Sequence, residues 1–311
     1  MTLRKLSIDI SEAFWGSKKY ELVSSIENSK CYPLELGFTL SNEKFYYYPK
    51  DSLGIPVKEY KTAGVQYNPT RIAAFALAHF NRHLSNGDKN SRDIFLSMAD
   101  WFLKSEDGLW KYHFDWGDLK APWISCMAQG EGISVLVRAY LLTKNAEYLD
   151  KAFQATYPFS LSVENDGVRS KIDGKWDFLE EYPSKRPSHT LNGFLYALVG
   201  IKDLINIEPD IESQIGFSEL IDTLSNQWSL WDLSTWSAYD LQRSPSGRAN
   251  FATVSYHKIH IALMQYLGTQ LNEPQLQKCS DKWLDDYVSL PKRVRALWGK
   301  IRYRLEVPAS K

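Results

Sequence analysis

The sequence predicts a mainly helical protein, an α/α toroid with a small N-terminal extension that is partly β or irregular, and three observations carry that prediction. From residue 66 onward, apolar residues recur with a helical period in one segment after another. The segments fall into pairs. The loops between them are rich in Gly, Trp and Tyr. Paired helices of this kind gather their loops at one end of a central cavity. No exact internal repeat is present, so the toroid rests on helix pairing alone.

Up to about residue 65 the signals are those of extended chain: "YPLELGFTL" alternates, "KFYYYP" is aromatic, and Pro and Gly punctuate. The expected division is therefore a 1–65 extension and a 66–311 helical domain. At "YNPTRIAAFALAHFNRHLSNG" the period changes. Asn68 is an N-cap, Pro69 occupies the first helical position, Ile72, Phe75, Ala76, His79 and Phe80 share a face, and Asn86-Gly87 is the stop. Further helices are predicted near 91–104, 125–143, 146–157, 189–206, 211–228, 254–268, 273–288 and 291–304. The long loop "ENDGVRSKIDGKWDFLEEYPSKRPS" holds a hairpin around Asp173-Gly174.

At 311 residues with 44% apolar residues the chain can bury a sizeable core. Its 37 Lys and Arg balance 37 Asp and Glu, so affinity for a polyanion has to come from a local patch, and nucleic acid is not indicated. Aromatic residues make up 14% of the chain, with 18 Tyr and 11 Trp, and such rings serve as platforms for sugars as well as core filling. Cys31, Cys126 and Cys279 are odd in number and far apart, which reads as buried thiols and not as a disulfide framework or a zinc site. The first residues carry acids among alternating polar and apolar positions, and no long uncharged apolar run follows, so a cytoplasmic setting is expected. No oligomeric state is dictated, and a homodimer is compatible with the composition.

Three tyrosines stand in polar, loop-like or helix-start settings: Tyr182 in "EEYPS", Tyr239 in "SAYDLQRS" and Tyr256 in "VSYHKIH". In a chain with 18 tyrosines, several fall beside charges by chance, so the pattern alone singles out none of them. His257 and His260 share a helix face at a spacing compatible with metal ligation, but no further His or Cys follows at ligand spacing. They read as hydrogen-bonding or tyrosine-tuning imidazoles, and neither a metal nor a cofactor is expected. Gly130 and Gly132 in "SCMAQGEG" match no phosphate-binding fingerprint and read as close-packing glycines.

The segments "NPTRIAAFALAHF", "MAQGEGISVLVRAYLLTKNAEYLDKA", "EEYPS...LNGFLYALVGIKDL", "YDLQR" and "SYHKIHI" occur in one order. Over roughly residues 66–285 they resemble the C-terminal domain of D-glucuronyl C5-epimerases, which convert glucuronic to iduronic acid residues within heparan-type polysaccharides. The resemblance implies an α/α toroid with a polysaccharide cleft and a tyrosine-based site. Tyr182, Tyr239 and Tyr256 correspond to catalytic tyrosines, and Glu181 to the acid before the first. Arg243, Gln242, Arg186, His257, His260, Gln129 and Asn192 are the expected substrate-binding residues. Two positions depart from the family pattern: Gln242 stands where an arginine is usual, with Arg243 beside it, and Glu131 stands where the family has Gln. The long β-rich N-terminal region of animal members has little counterpart here, so neither heparan itself nor the calcium associated with that region is expected.

Inverting C5 of a uronate removes a carbon-bound proton from one face and returns one to the other, so two acid/base groups are needed. Phenols suit the task if nearby cations hold one of them below its reference pKa near ~10. Two rival functions share these features. A polysaccharide lyase would abstract the same proton and then expel the O4 substituent, and a non-catalytic glycan-binding module would keep the aromatic cleft without the chemistry. The C-terminal stretch "LPKRVRALWGKIRYRLEVP" places Val294, Leu297, Trp298, Ile301 and Leu305 on one face with cations around it. The bland expectation is a docked helix with a solvated basic face; the sharper one is a peripheral contact with an anionic membrane surface.

Overall fold

The computed structural model describes residues 3–23 and 31–308, and it is mainly helical. In chain order the elements are α1 (Leu3–Trp15), α2 (Gly37–Ser41), α3 (Glu43–Tyr47), β1 (Val57–Tyr60), β2 (Gly64–Tyr67), α4 (Pro69–Asn86), α5 (Lys89–Leu103), α6 (Cys126–Thr143), α7 (Ala146–Gln154), β3 (Arg169–Ile172), β4 (Trp176–Leu179), α8 (Leu191–Ile205), α9 (Ile211–Ile215), α10 (Phe217–Gln227), β5 (Ala238–Arg243), β6 (Ala249–Phe251), α11 (Val254–Gln270), α12 (Pro274–Val288) and α13 (Leu290–Glu306). Strands occur only as three separate antiparallel hairpins among the described residues.

The capping signals of α4 act as the sequence indicates. The Asn68 side chain accepts from the Arg71 N–H at 3.0 Å, Pro69 starts the helix, and Gly87 ends it at φ 72° with its N–H on the His83 carbonyl. Helices α4, α6, α8 and α11 are successive neighbours; α5 backs α4, α7 backs α6 and α12 backs α11. The central helices are buried nearly all round. In α8 only Lys202 is not buried, which is why its sequence shows little polar face. Gly130 and Gly200 let α6 and α8 cross at backbone contact, since a Cβ on either would collide with the opposite helix. Across that crossing Arg138 and Asp203, both buried, pair at 2.5 Å, and Ser134 Oγ donates to the same carboxylate at 2.6 Å.

The predicted 211–228 helix is broken at Gly216, which adopts φ 67° between α9 and α10. The β3–β4 hairpin forms with Asp173 and Gly174 at positive φ, as "DGK" requires. The expectation of extended chain before residue 65 needs correction. Residues 3–15 are helical, and "GFTLS" and "EKFYY" form two short helices. Packing overrides the β propensity of the aromatic run: Tyr47 sits on the Phe75 ring at 4.6 Å and donates to Thr39 Oγ1 at 2.9 Å. Positions 1–2 and 24–30 of the expected extension, and 309–311 of the expected domain, lie outside the described residues. All three cysteines are free; Cys126 and Cys279 are buried, whereas Cys31 is partly exposed. No helix among the described residues is long and apolar enough to cross a membrane.

The last helix does not bury the face its apolar spacing suggests. Ala296, Lys300 and Tyr303 are the buried positions, while Trp298 is 57% and Leu305 79% exposed. Register is set by β6, where Gly299 lies directly on the Phe251 ring, and by α1, whose Ala13 carbonyl accepts from Arg293 Nε at 2.9 Å. Glu306 closes the far end, accepting from Arg248 Nε at 2.7 Å and Ser246 Oγ at 2.7 Å on the turn between β5 and β6.

Candidate active site

Three elements deliver the tyrosines to one place. Tyr182 follows β4, Tyr239 lies on β5 and not in a loop, and Tyr256 sits in the first turn of α11, where Thr253 caps the helix by accepting the Tyr256 N–H at 3.4 Å. The paired acids before Tyr182 divide their work. Glu180, fully buried, accepts from Ser170 Oγ at 2.7 Å and from the His189 N–H at 3.1 Å, and its carboxylate faces the His189 ring at 2.7 Å. It fastens the 180–190 loop to the hairpin. Glu181 turns toward α8, where Asn192 Nδ2 donates to Oε2 at 3.1 Å. The missing side chain of Gly193 leaves room for it, because a Cβ there would strike the Glu181 side chain.

From Glu181 a line of hydroxyls runs outward. Tyr182 donates to Glu181, and Tyr239 is within hydrogen-bonding reach of both Tyr182 and Tyr256. The rings of Tyr239 and Tyr256 meet edge to face at 5.0 Å. All three tyrosines line a cavity of about 660 Å³. Tyr182 and Tyr256 also border a smaller one of about 220 Å³, with Glu181 and Asn192 on one wall and Tyr60, Trp116 and Trp123 on another. Those rings belong to an aromatic cluster in which Tyr112 and Trp123 stack at 4.2 Å, a surface suited to a sugar ring.

Electrostatics overturn one expectation. Each of the three phenols is held above its ordinary pKa. Burial, and after it the Glu181 charge, pushes Tyr182 and Tyr239 well above 10. Tyr256 is pushed up to about 12, again by burial first, with Arg304 pulling in the opposite direction. Burial also raises Glu181 to about 7, against the hydrogen bonds from Tyr182 and Asn192. The ready proton acceptor of the group is therefore the carboxyl. Glu131, fully enclosed, is pushed well above its ordinary value by burial and then by Glu181. As a neutral acid it offers one donor and one acceptor, much as a glutamine would.

Five cations line the larger cavity, Lys5, Lys58, Arg186, Lys300 and Arg304, against two acids, Asp118 and Asp240. A chain of zero formal net charge thus carries a local positive basin. Lys300 and Arg304 come from α13, Lys5 from α1 and Lys58 from β1. Lys300 Nζ lies 5.0 Å above the Tyr239 ring and donates to Asn250 Oδ1 at 2.8 Å, while Asn250 Nδ2 donates to Asp240 Oδ2 at 2.7 Å.

Of the expected substrate-binding residues, Asn192, Gln242 and Arg186 border these cavities, Arg186 and Gln242 as exposed rim residues. Arg243 is exposed at the end of β5 and does not line the cavity; the cations beside the tyrosines are Lys300 and Arg304. Gln129 is buried behind the site, accepting the Trp110 N–H and donating to the Gly108 and Ala155 carbonyls at 2.9–3.0 Å, so its polar atoms are committed to loops. His257 and His260 are likewise interior and border neither cavity. His257 stacks on Trp236 at 3.7 Å and donates from Nε2 to the Trp283 carbonyl at 3.1 Å, which leaves Nδ1 to accept from Ser237 Oγ at 2.7 Å; His260 Nδ1 contacts the same hydroxyl at 2.8 Å. Burial lowers both, His257 to about 3, so they are neutral pillars behind β5. Sequence reading missed Lys58, Asn250 and the inward direction of Lys300. The signal for the last was a lysine in register with Ala296 and Tyr303.

The helical scaffold thus brings together clustered tyrosines, a buried carboxyl and a positive basin. Residues 104–285 match the family described as D-glucuronyl C5-epimerase C-terminus, and the chain belongs to that family. It is 32% identical over 212 residues to the D-glucuronyl C5-epimerase of Caenorhabditis elegans, an alignment covering 61% of this chain and 34% of that protein. It is 25% identical over 262 residues to an uncharacterized protein of Methanocaldococcus jannaschii, covering 75% of this chain and 83% of that one. The chain therefore spans about a third of the length of the nematode enzyme it matches. The matched family segment contains Glu181 and all three tyrosines but excludes Lys58, Lys300 and Arg304.

Proposed function

We propose that this protein is an isomerase that inverts C5 of D-glucuronic acid residues within an acidic polysaccharide, giving L-iduronic acid residues. The observation that carries the reading is that Tyr182, Tyr239 and Tyr256 line one cavity while Tyr182 and Tyr256 share a smaller one with Glu181, all four residues lying inside the family segment. We read the paired helices as an α/α toroid whose cavity end receives the polymer.

The reaction needs no net change of protons. One phenolic oxygen, its own proton passed to the ionised Glu181, takes the C5 proton, and the C–H electron pair moves into the carboxyl group as an enolate. A second phenol on the opposite face then donates its proton to C5. Tyr182, coupled to Glu181, and Tyr256, the least basic phenol and one aided by the positive end of α11, serve as the pair. Tyr239 lies between them and can hand the displaced proton back, restoring the starting state. The cations of the cavity offset the second charge of the enolate.

The test is incubation with glucuronate polymers in deuterium oxide. Deuterium should enter C5 and iduronic acid should accumulate without chain cleavage. An unsaturated uronate with falling chain length would identify a lyase instead, and neither signal would leave a binding module. Tyr182→Phe and Tyr256→Phe should each cut turnover by a factor on the order of 10²–10⁴, the usual worth of general acid/base catalysis, with the fold intact by circular dichroism.

A further inference from the structure

Two of the five cations that line this cavity come from a helix that lies outside the family segment. Lys300 and Arg304 stand one turn apart on α13, and both line the 660 Å³ cavity beside Tyr239 and Tyr256. Lys300 is 8% exposed, and its ammonium is held in place by Asn250 Oδ1 at 2.8 Å and by the Tyr239 ring at 5.0 Å. Among the described residues no carboxylate contacts it directly, and the strand acid Asp240 reaches it only through Asn250. A buried ammonium without a direct counter-ion is costly. An anion entering the cavity would supply one.

We propose that Lys300 and Arg304 are the carboxylate-binding pair of this cavity, Arg304 giving fixed charge and Lys300 taking up a proton as the acidic sugar binds. The choice of a uronate as ligand rests on the epimerase reading; the pairing itself rests on the geometry. Burial, then Arg304, lowers Lys300 to about 7, so near neutrality it stands between its two forms. The groups facing it are Arg304 on its own helix, Lys5 and Asp9 on α1, and Asp240 and Tyr239 on β5, with Asn250 on β6 as the neutral bridge. A carboxylate placed among them favours the ammonium, so binding and protonation reinforce each other.

The experiment is calorimetric titration of the full chain with a hexasaccharide of alternating glucuronate and N-acetylglucosamine, and with its carboxyl-reduced counterpart. Each is run at pH 7.5 in two buffers of different ionisation heat. The wild type should prefer the acidic sugar by about 10- to 100-fold, the worth of a charge-assisted hydrogen bond, and should take up a fraction of a proton. Lys300→Met should lose both the preference and the uptake. Arg304→Gln should weaken the preference and, because Lys300 is then more fully protonated before binding, reduce the uptake. If Lys300→Met does not fold, Lys300→Arg decides the matter, since it should keep the preference and lose the uptake.

Unchanged preference and uptake in these variants overturns the proposal, as does a wild type that binds both sugars equally. A wild type that prefers the acid through Lys300 but exchanges no C5 proton would sink the epimerase reading and leave the anion pair standing.

Discussion

Glu181 is the residue on which pH should act. Its folded value of about 7 lies above its ordinary 4.5, so the folded state disfavours its ionised form. That cost is absent below about 4.5, grows as pH rises, and is complete above about 7, reaching on the order of 3 kcal/mol. The unfolding free energy of Glu181→Gln should therefore exceed that of the wild type by a margin that widens from pH 5 to pH 8, measured by urea denaturation. Turnover should move the other way, rising with pH through about 7 as the carboxyl becomes able to accept the Tyr182 proton. A rate that falls across that interval would show that the protonated acid is the working form. The same residue shows how far sequence could reach. "EEYPS" announced two acids and a phenol, but only the packing shows that Glu180 is a fastening while Glu181 turns to Asn192, because their opposite directions depend on Ser170, His189 and Asn192 from three other places in the chain.

Among the elements, α8 supports the site through a residue it lacks. Gly193→Ala gains about 0.5–1 kcal/mol of helix propensity but sets a Cβ against the buried Glu181 Cβ, an overpacking cost of about 1–3 kcal/mol, so it should displace Glu181 and lower turnover at least tenfold. A less stable and less active variant is the expected pairing, and full activity would remove Glu181 from its assigned position. At the α6–α8 crossing, Asp203→Ala leaves Arg138 buried without its partner. It should cost about 3–5 kcal/mol by denaturant unfolding, with little effect on KM in whatever remains folded.

Helix boundaries were legible wherever caps were local, as at Asn68, Pro69 and Gly87. They were illegible where tertiary contacts chose the outcome. The aromatic run at 45–47 reads as strand until Phe75 and Thr39 are in place. The buried face of α13 follows Phe251 and α1, not its own apolar spacing. His257 and His260 share a face as their spacing implies, but nothing local reveals that the face points at Trp236 and Trp283 and away from the tyrosine-lined cavity.

For the molecule as a whole, deleting residues 291–311 should abolish polymer binding and lower the melting temperature by several degrees or more, since Ala296 and Tyr303 leave the core and Phe251 loses its cover. The outward face of α13 carries Arg295, Trp298, Arg302 and Leu305, all exposed. For that face a peripheral membrane contact is our proposal. Cosedimentation of the intact protein with anionic vesicles, lost in a Trp298→Ser/Leu305→Ser double variant that remains folded, is the expected result.

Lys5 and Arg304 border one cavity from opposite ends of the described chain, and α1 is held over that cavity by α11 through Ser255 Oγ on Glu12 at 2.7 Å and by α13 through Arg293. During synthesis the first of these helices leaves the ribosome nearly three hundred residues before the last. The tyrosines can meet earlier, since they span only residues 182–256, but the positive basin waits for residue 304 to emerge. On the proposed function, a fragment released before α13 is made would carry the three tyrosines and Glu181 without Lys300 and Arg304, and so without part of the charge that retains an acidic substrate.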